Sequence, residues 1–185
     1  MRIRLNDGWE FALDRPEGFA PVTLPHDWLI GDPARWYASG VGYYRRTLDG
    51  GILDGGRRAL LRFDGVYMDS ALSVNGRPAG EWKYGFTAFT HDVTEYLRPG
   101  QNEVLLRVDA KFPSSRWYSG AGVTRPAWLV LKNQYHIRED GVYVTTSYKD
   151  GKWSWEATCE AETGGRPYEA RHTVLEDGEF RPWSP

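Results

Sequence analysis

The chain has 185 residues and a formal net charge of −2, with 26% of its residues charged in both signs and 41% hydrophobic. That length allows one medium domain and part of a second around a buried core, and the mixed charge excludes a basic nucleic-acid stripe or an acidic solvating tail. A lone cysteine, Cys159, excludes an internal disulfide framework; no apolar run approaches the roughly 20 residues of a membrane helix; and the polar start MRIRLNDGWEF lacks a signal-peptide core, which sets the expectation of a cytoplasmic protein.

No window of about 11 residues holds an apolar i, i+3, i+4, i+7 pattern free of Gly and Pro, so strands are expected rather than helices. Gly40 to Gly42 leads into a strand-like Tyr43-Tyr44-Arg45-Arg46, not into the helix a phosphate loop requires. Asp54-Gly55-Gly56 forms a turn into a buried strand, Arg58 to Phe63. In Ser70 to Val74, Leu72 and Val74 point one way, and Asn75-Gly76 supplies a tight turn. Arg98-Pro99-Gly100-Gln101-Asn102 is a turn into Glu103 to Asp109, where Val104, Leu106 and Val108 share a face. Ala127 to Leu131 is a short apolar strand. Short strands broken by Gly and Pro turns indicate a β-sandwich or barrel.

The pattern changes near Asn133. Val142 to Tyr148, Lys152 to Ala161 and Tyr168 to Leu175 read as three further strands, separated by Lys149-Asp150-Gly151 and Thr163-Gly164-Gly165. In the middle one Trp153, Trp155, Ala157 and Cys159 alternate strictly with Ser154, Glu156, Thr158 and Glu160, the period of a half-exposed strand. An immunoglobulin-like sandwich needs about seven strands, so this second unit is expected to be partial, with an unpaired inner face. Aromatic residues reach 15%, including nine Trp. They suit a β-rich core, and they also suit contact with the apolar faces of sugars.

Several segments resemble, in order, the N-terminal part of glycoside hydrolase family 2, the β-galactosidase and β-glucuronidase group. Asn6-Asp7-Gly8-Trp9-Glu10-Phe11 is similar to its opening strand. Leu24-Pro25-His26-Asp27-Trp28 resembles its LPHDW segment. Gly40 to Arg46, Phe63-Asp64-Gly65-Val66 with Val74-Asn75-Gly76, Tyr84 to Phe89 with Asp92-Val93-Thr94, and Ser114 to Arg125 follow the same family order. One departure is Thr124-Arg125-Pro126, where the family usually has an aromatic residue, Arg and a non-proline residue. The resemblance implies an all-β chain: a jelly-roll, galactose-binding-like β-sandwich over residues 1–133, then a partial immunoglobulin-like β-sandwich over residues 134–185. It further implies that a (β/α)₈ barrel carrying two catalytic glutamates is the missing C-terminal partner.

Catalytic residues are not expected in these 185 residues. A retaining glycosidase needs two carboxyls about 5–5.5 Å apart. The single Asn-Glu pair, Asn102-Glu103, opens a sandwich strand after a Pro-Gly turn, which is the wrong setting. Asp27 either braces its own loop or, as the resemblance implies, sits near the substrate mouth of the barrel. His26 reads as a structural histidine. No metal or cofactor is expected, since His91, His136 and His172 are scattered and there is no second cysteine.

The long connection from Asp109 to Ala127 contains Arg116 and Trp117, and long loops in compact domains are often functional. Either Trp117 packs over the open end of the sandwich and Arg116 braces it, or the loop reaches the barrel and walls the sugar pocket. Arg offers a fork of donors and Trp a stacking face. Trp36 and Tyr37 would line the same rim. The expected partners are a carbohydrate of the β-galactoside type and the barrel, with no nucleic acid and no membrane. The expected function is that of a non-catalytic region of a retaining glycosidase acting on terminal β-glycosides, β-galactosides foremost. A purely structural buttress and a free-standing carbohydrate-binding module are the alternatives.

Overall fold

Apolar side chains at every second position, with turns rich in Gly and Asn between the runs, make this an all-β chain. The computed structural model describes residues 1–115, 120–171, 175–176 and 179–180, the last two pairs by their backbone alone. The first strands are β1 (Arg2–Arg4), β2 (Trp9–Leu13), β3 (Ala20–Val22), β4 (His26–Asp27) and β5 (Gly40–Asp49). Next come β6 (Arg58–Phe63), β7 (Ser70–Val74), β8 (Arg77–Trp82), β9 (Phe89–Asp92) and β10 (Gln101–Ala110). Then follow β11 (Gly122–Val123), β12 (Ala127–Lys132), β13 (His136–Lys149), β14 (Lys152–Glu162), β15 (Leu175–Glu176) and β16 (Glu179–Phe180). The only helical turns among the described residues are three short 3₁₀ segments, and none is long and apolar enough to cross a membrane.

The chain divides into two compact units, Met1–Asn133 and Gln134–Pro185. In the first, a six-stranded antiparallel sheet in the order β3-β2-β5-β10-β7-β8 faces a four-stranded antiparallel sheet in the order β1-β12-β6-β9. Alternation aims one side of each strand inward. Trp9, Tyr44, Leu72, Val74, Val104, Leu106 and Val108 of one sheet meet Ala59, Leu61, Phe63, Phe89, Ala127 and Leu129 of the other in a single buried cluster. Each large side chain fully buried there contributes roughly 1.5–3 kcal/mol of transfer free energy. Trp9 is buried and donates its indole N–H to the Leu5 carbonyl at 2.6 Å, so no polar atom is stranded.

Local chemistry fixes the turns. Asn75 and Gly76 both take positive φ, 52° and 76°, as the tight turn between β7 and β8 requires. The strand after the Pro99-Gly100 turn starts at Gln101, two residues before the expected Glu103, because Asn102 is buried and locks the turn. Its amide donates to Arg98 O and Gly100 O, both at 2.8 Å, and its carbonyl accepts from Arg98 N at 2.9 Å. Pro126 ends at the foot of β12, where only its carbonyl is used, accepting from Asp64 N at 3.0 Å.

In the second unit, β13 and β14 form one long hairpin closed by Asp150 and Gly151, with a register shift between Ile137 and Val142. Tyr168–Arg171 depart from expectation. They form no strand; Tyr168 instead crosses the hairpin and donates to Cys159 O at 3.4 Å. Ile137, Val142, Val144, Trp155, Ala157 and Cys159 line an open cleft of about 710 Å³ beside this segment, within the second unit.

Candidate functional site

The site sits at one end of the first sandwich, where four connections meet: residues 28–39, 64–69, 83–88 and, among the described residues, 111–115 with 120–121. Asp27 draws the first and last together. It ends β4, which pairs with β11 in the register Asp27↔Gly122 and His26↔Val123. Its Oδ1 accepts from Leu29 N at 2.9 Å and from Ala121 N at 3.1 Å, while Trp28 N donates to Ala121 O at 3.1 Å. One carboxylate therefore ties down two loops separated by most of a hundred residues.

Beneath Asp27 lies a polar group in an aromatic nest. The fully buried Tyr44 hydroxyl is 2.8 Å from His26 Nδ1, donates to His26 O at 3.2 Å and accepts from Val123 N at 3.4 Å. Burial pushes the Tyr44 phenol well above its ordinary range, so it stays a neutral donor and acceptor. Burial also lowers the His26 pKa, an effect the neighbouring Asp27 charge only partly opposes. The Phe11 ring lies 4.7 Å from His26, 4.9 Å from Tyr44 and 5.5 Å from Trp28. His26 is thus a floor for the site. Gly122 must lack a side chain here: it adopts φ 122°, and a Cβ would meet the Tyr44 hydroxyl at 2.2 Å.

The 28–39 loop is held from within and across. Asp32 caps the turn Pro33–Arg35 by accepting from Ala34 N at 3.1 Å. Ser39 Oγ accepts from Phe112 N at 2.9 Å and donates to Phe112 O at 3.2 Å. Trp36 follows the turn half-buried, and Tyr37 is exposed with its ring edge-on to Phe112, centroids 6.5 Å apart. The structure therefore brings Asp27, Trp36 and Tyr37 to one end of the sandwich. Arg116 and Trp117 lie outside the described residues, although the segments flanking them, up to Ser115 and from Gly120, belong to this end.

Sequence reading missed the ring contacts that continue from Phe112. Tyr67 lies 6.2 Å from Phe112 and 5.4 Å from Phe86, and Phe86 lies 5.7 Å from Tyr84. Phe112, Tyr67 and the pair Tyr84 and Phe86 come from three separate connections, so no local pattern joins them. Beside them, Asp69 accepts from Lys83 Nζ at 2.8 Å and Lys111 Nζ at 2.6 Å. Those two lysines hold the Asp69 carboxyl below its usual range. Among the described residues no three His, Cys, Asp or Glu side chains converge as a metal cage.

The sequence and the fold match known proteins. The family profile described as glycosyl hydrolases family 2, sugar binding domain, covers residues 19–150. A Bacteroides ovatus protein named beta-galactosidase BoGH2A is 40% identical over 168 residues, 82% of this chain and 19% of its own length. A beta-glucuronidase of Bacteroides fragilis is 33% identical over 113 residues, 58% of this chain and 16% of its own length. The crystal structure of a beta-glycosidase from Bacteroides vulgatus superimposes with a TM-score of 0.77 at 26% identity, over 88% of this chain and 24% of that one. The chain thus spans about a fifth of the length of the curated relatives it matches. With the profile covering most of its residues, the chain belongs to glycosyl hydrolase family 2.

Proposed function

We propose that this chain is the non-catalytic, sugar-binding portion of a retaining family 2 glycosidase acting on terminal β-glycosides, β-galactosides foremost. The observation that carries the proposal is the Asp27 clamp. It fixes Leu29 and Ala121 at one end of a rigid sandwich, the end that also carries Trp36 and Tyr37; the rim of this proposal is Trp36 and Tyr37 with Arg116 and Trp117. The chemistry belongs to a (β/α)₈ barrel in the remainder of a longer protein. There, one carboxylate attacks the anomeric carbon while its protonated partner, a carboxylic acid, gives its proton to the leaving oxygen. The rim's part is to position the terminal sugar: rings cover its apolar face, and the arginine fork meets its hydroxyls. The galactoside preference is supported by the 40% identity to a protein named as a beta-galactosidase.

Isothermal titration of the purified chain with galactose, lactose and glucuronate tests this reading. The expected result is saturable binding that Trp117→Ala removes, with no turnover of nitrophenyl β-galactoside. A clean thermal melt with no sugar binding instead supports the structural buttress, in which the bonds from Leu29 N and Ala121 N to Asp27 Oδ1 serve only to brace the loops.

A further inference from the structure

We infer that the rings of Tyr37, Phe112, Tyr67, Phe86 and Tyr84 form a continuous strip that extends the site beyond one sugar, so that this domain grips a β-linked oligosaccharide. The inference rests on the sugar-binding reading above and adds the length of the ligand. Successive ring centroids stand 6.5, 6.2, 5.4 and 5.7 Å apart along the strip. Tyr67 is the buried anchor. Tyr37 at one end is 54% exposed, and Tyr84 and Phe86 at the other are 52% and 37% exposed.

The strip is set before any ligand arrives. Tyr67 N donates to Gly122 O and Gly122 N to Tyr67 O, both at 2.8 Å, which ties the strip to the Asp27 clamp. Gly85 lies flat on the Tyr67 ring, where a Cβ would come within 2.3 Å of Cδ2. Arg125 Nη1 donates to Phe86 O at 3.4 Å, holding the outer loop from the side of the 120–126 segment. Rings fixed in this way cost little entropy when they are covered.

The neighbours of the rings identify the occupant. Lys83 precedes Tyr84 and Lys111 precedes Phe112, and both reach Asp69. The cores of protein interfaces are depleted in Lys and Asp. A sugar chain, by contrast, presents apolar faces to the exposed rings of Tyr37, Tyr84 and Phe86 and hydroxyl edges to the ammonium and carboxylate groups near them. The exposed rings at both ends give a chain of several units contact along its length, which a single terminal sugar at Tyr37 does not use.

The test is titration of the purified chain with β-linked galacto-, gluco- and manno-oligosaccharides of one to four units. The expected result is affinity rising about tenfold from one unit to four in at least one series. Tyr84→Ala should remove that rise, Tyr84→Phe should keep it, and monosaccharide affinity should not change in either. Phe86→Ala provides a second variant should Tyr84→Ala fail to melt cooperatively. Binding that is independent of length overturns the strip and leaves the terminal-sugar reading standing. No binding at any length overturns both and marks the end as a docking face for the rest of a longer protein. Concentration-dependent dimerisation abolished by Tyr84→Ala also overturns the strip, with a second copy as its occupant.

Discussion

The Asp27 carboxylate accepts a hydrogen bond from the Ala121 amide at 3.1 Å across 94 positions of sequence. The same oxygen accepts from Leu29 N two positions on. Removing the carboxylate leaves two backbone donors without their acceptor. Asp27→Ala is therefore expected to cost about 1–3 kcal/mol. Asp27→Asn keeps an acceptor oxygen and should cost less. Urea unfolding curves measure both, and equal losses in the two variants would show that charge, not acceptance, makes the clamp.

Gly122 is the other half of that clamp. Its φ of 122° is poor for an L side chain, and a Cβ would stand 2.2 Å from the Tyr44 hydroxyl and 2.6 Å from His26 O. Gly122→Ala must push apart β4, β11 and Tyr44, at a cost of about 1–3 kcal/mol or more. Gly55, with φ 78° and nothing within 4 Å, is the control. Gly55→Ala carries the backbone strain without the collision and should lose less. A melt of Gly122→Ala no lower than that of Gly55→Ala would refute the close packing.

Much of this fold can be read from sequence, for a local reason. Arg58–Phe63, Ser70–Val74 and Ala127–Lys132 are apolar runs bracketed by Gly, Asn or Pro, and they form strands at those places. Two features could not be read locally. His136–Gly141 is charged and irregular, so β13 starts earlier than its apolar part at Val142 suggests. Tyr168–Arg171 alternates like a strand but finds no edge to pair with, and its tyrosine crosses the hairpin. The site divides in the same way. Asp27 stands out in a compact segment, whereas the strip from Tyr37 to Tyr84 draws on rings from connections far apart in sequence, such as Tyr67 and Phe112, with Tyr67 bridged to Gly122 of β11.

Acid should weaken the fold in two windows. His26 and His91 are half-buried, and desolvation lowers the pKa of each; the backbone of Gly80 lies so close to the His91 ring that a Cβ would stand 2.2 Å from it. A histidine depressed in the folded state takes its proton more readily when unfolded. Stability is therefore flat above about pH 6.5, falls as pH drops below the unfolded value, and levels off below the folded one. Asp69 is lowered by its lysine hydrogen bonds, and Asp92 is lowered because bonds from Thr94 and Arg58 outweigh its burial. Their stabilisation is present above about pH 4 and is lost as pH falls through their folded values. Thermal melts from pH 8 to 3 should show both declines, with His91→Gln reducing the first and leaving the second. An unchanged first decline in that variant would rule His91 out as its source.

The two units should differ sharply in local stability. β10 is a central strand, hydrogen-bonded to β5 on one side and β7 on the other, and its Val104, Leu106 and Val108 are fully buried. Its amides can exchange with solvent only by a large opening. β14 pairs with β13 alone in a two-stranded sheet, and most of the pair's side chains, including Val142, Val144, Tyr148, Trp153 and Trp155, remain exposed. A lone hairpin is marginal in water, and local opening there exposes little further apolar surface. Hydrogen exchange read by mass spectrometry should find the β13–β14 peptides exchanging at least about 100-fold faster than those of β5 and β10. Covering the hairpin's apolar face should slow them, so adding the next hundred residues or so of a longer family protein is expected to close that gap. Protection of β14 equal to that of β10 in the chain alone would mean that its exposed face is already covered.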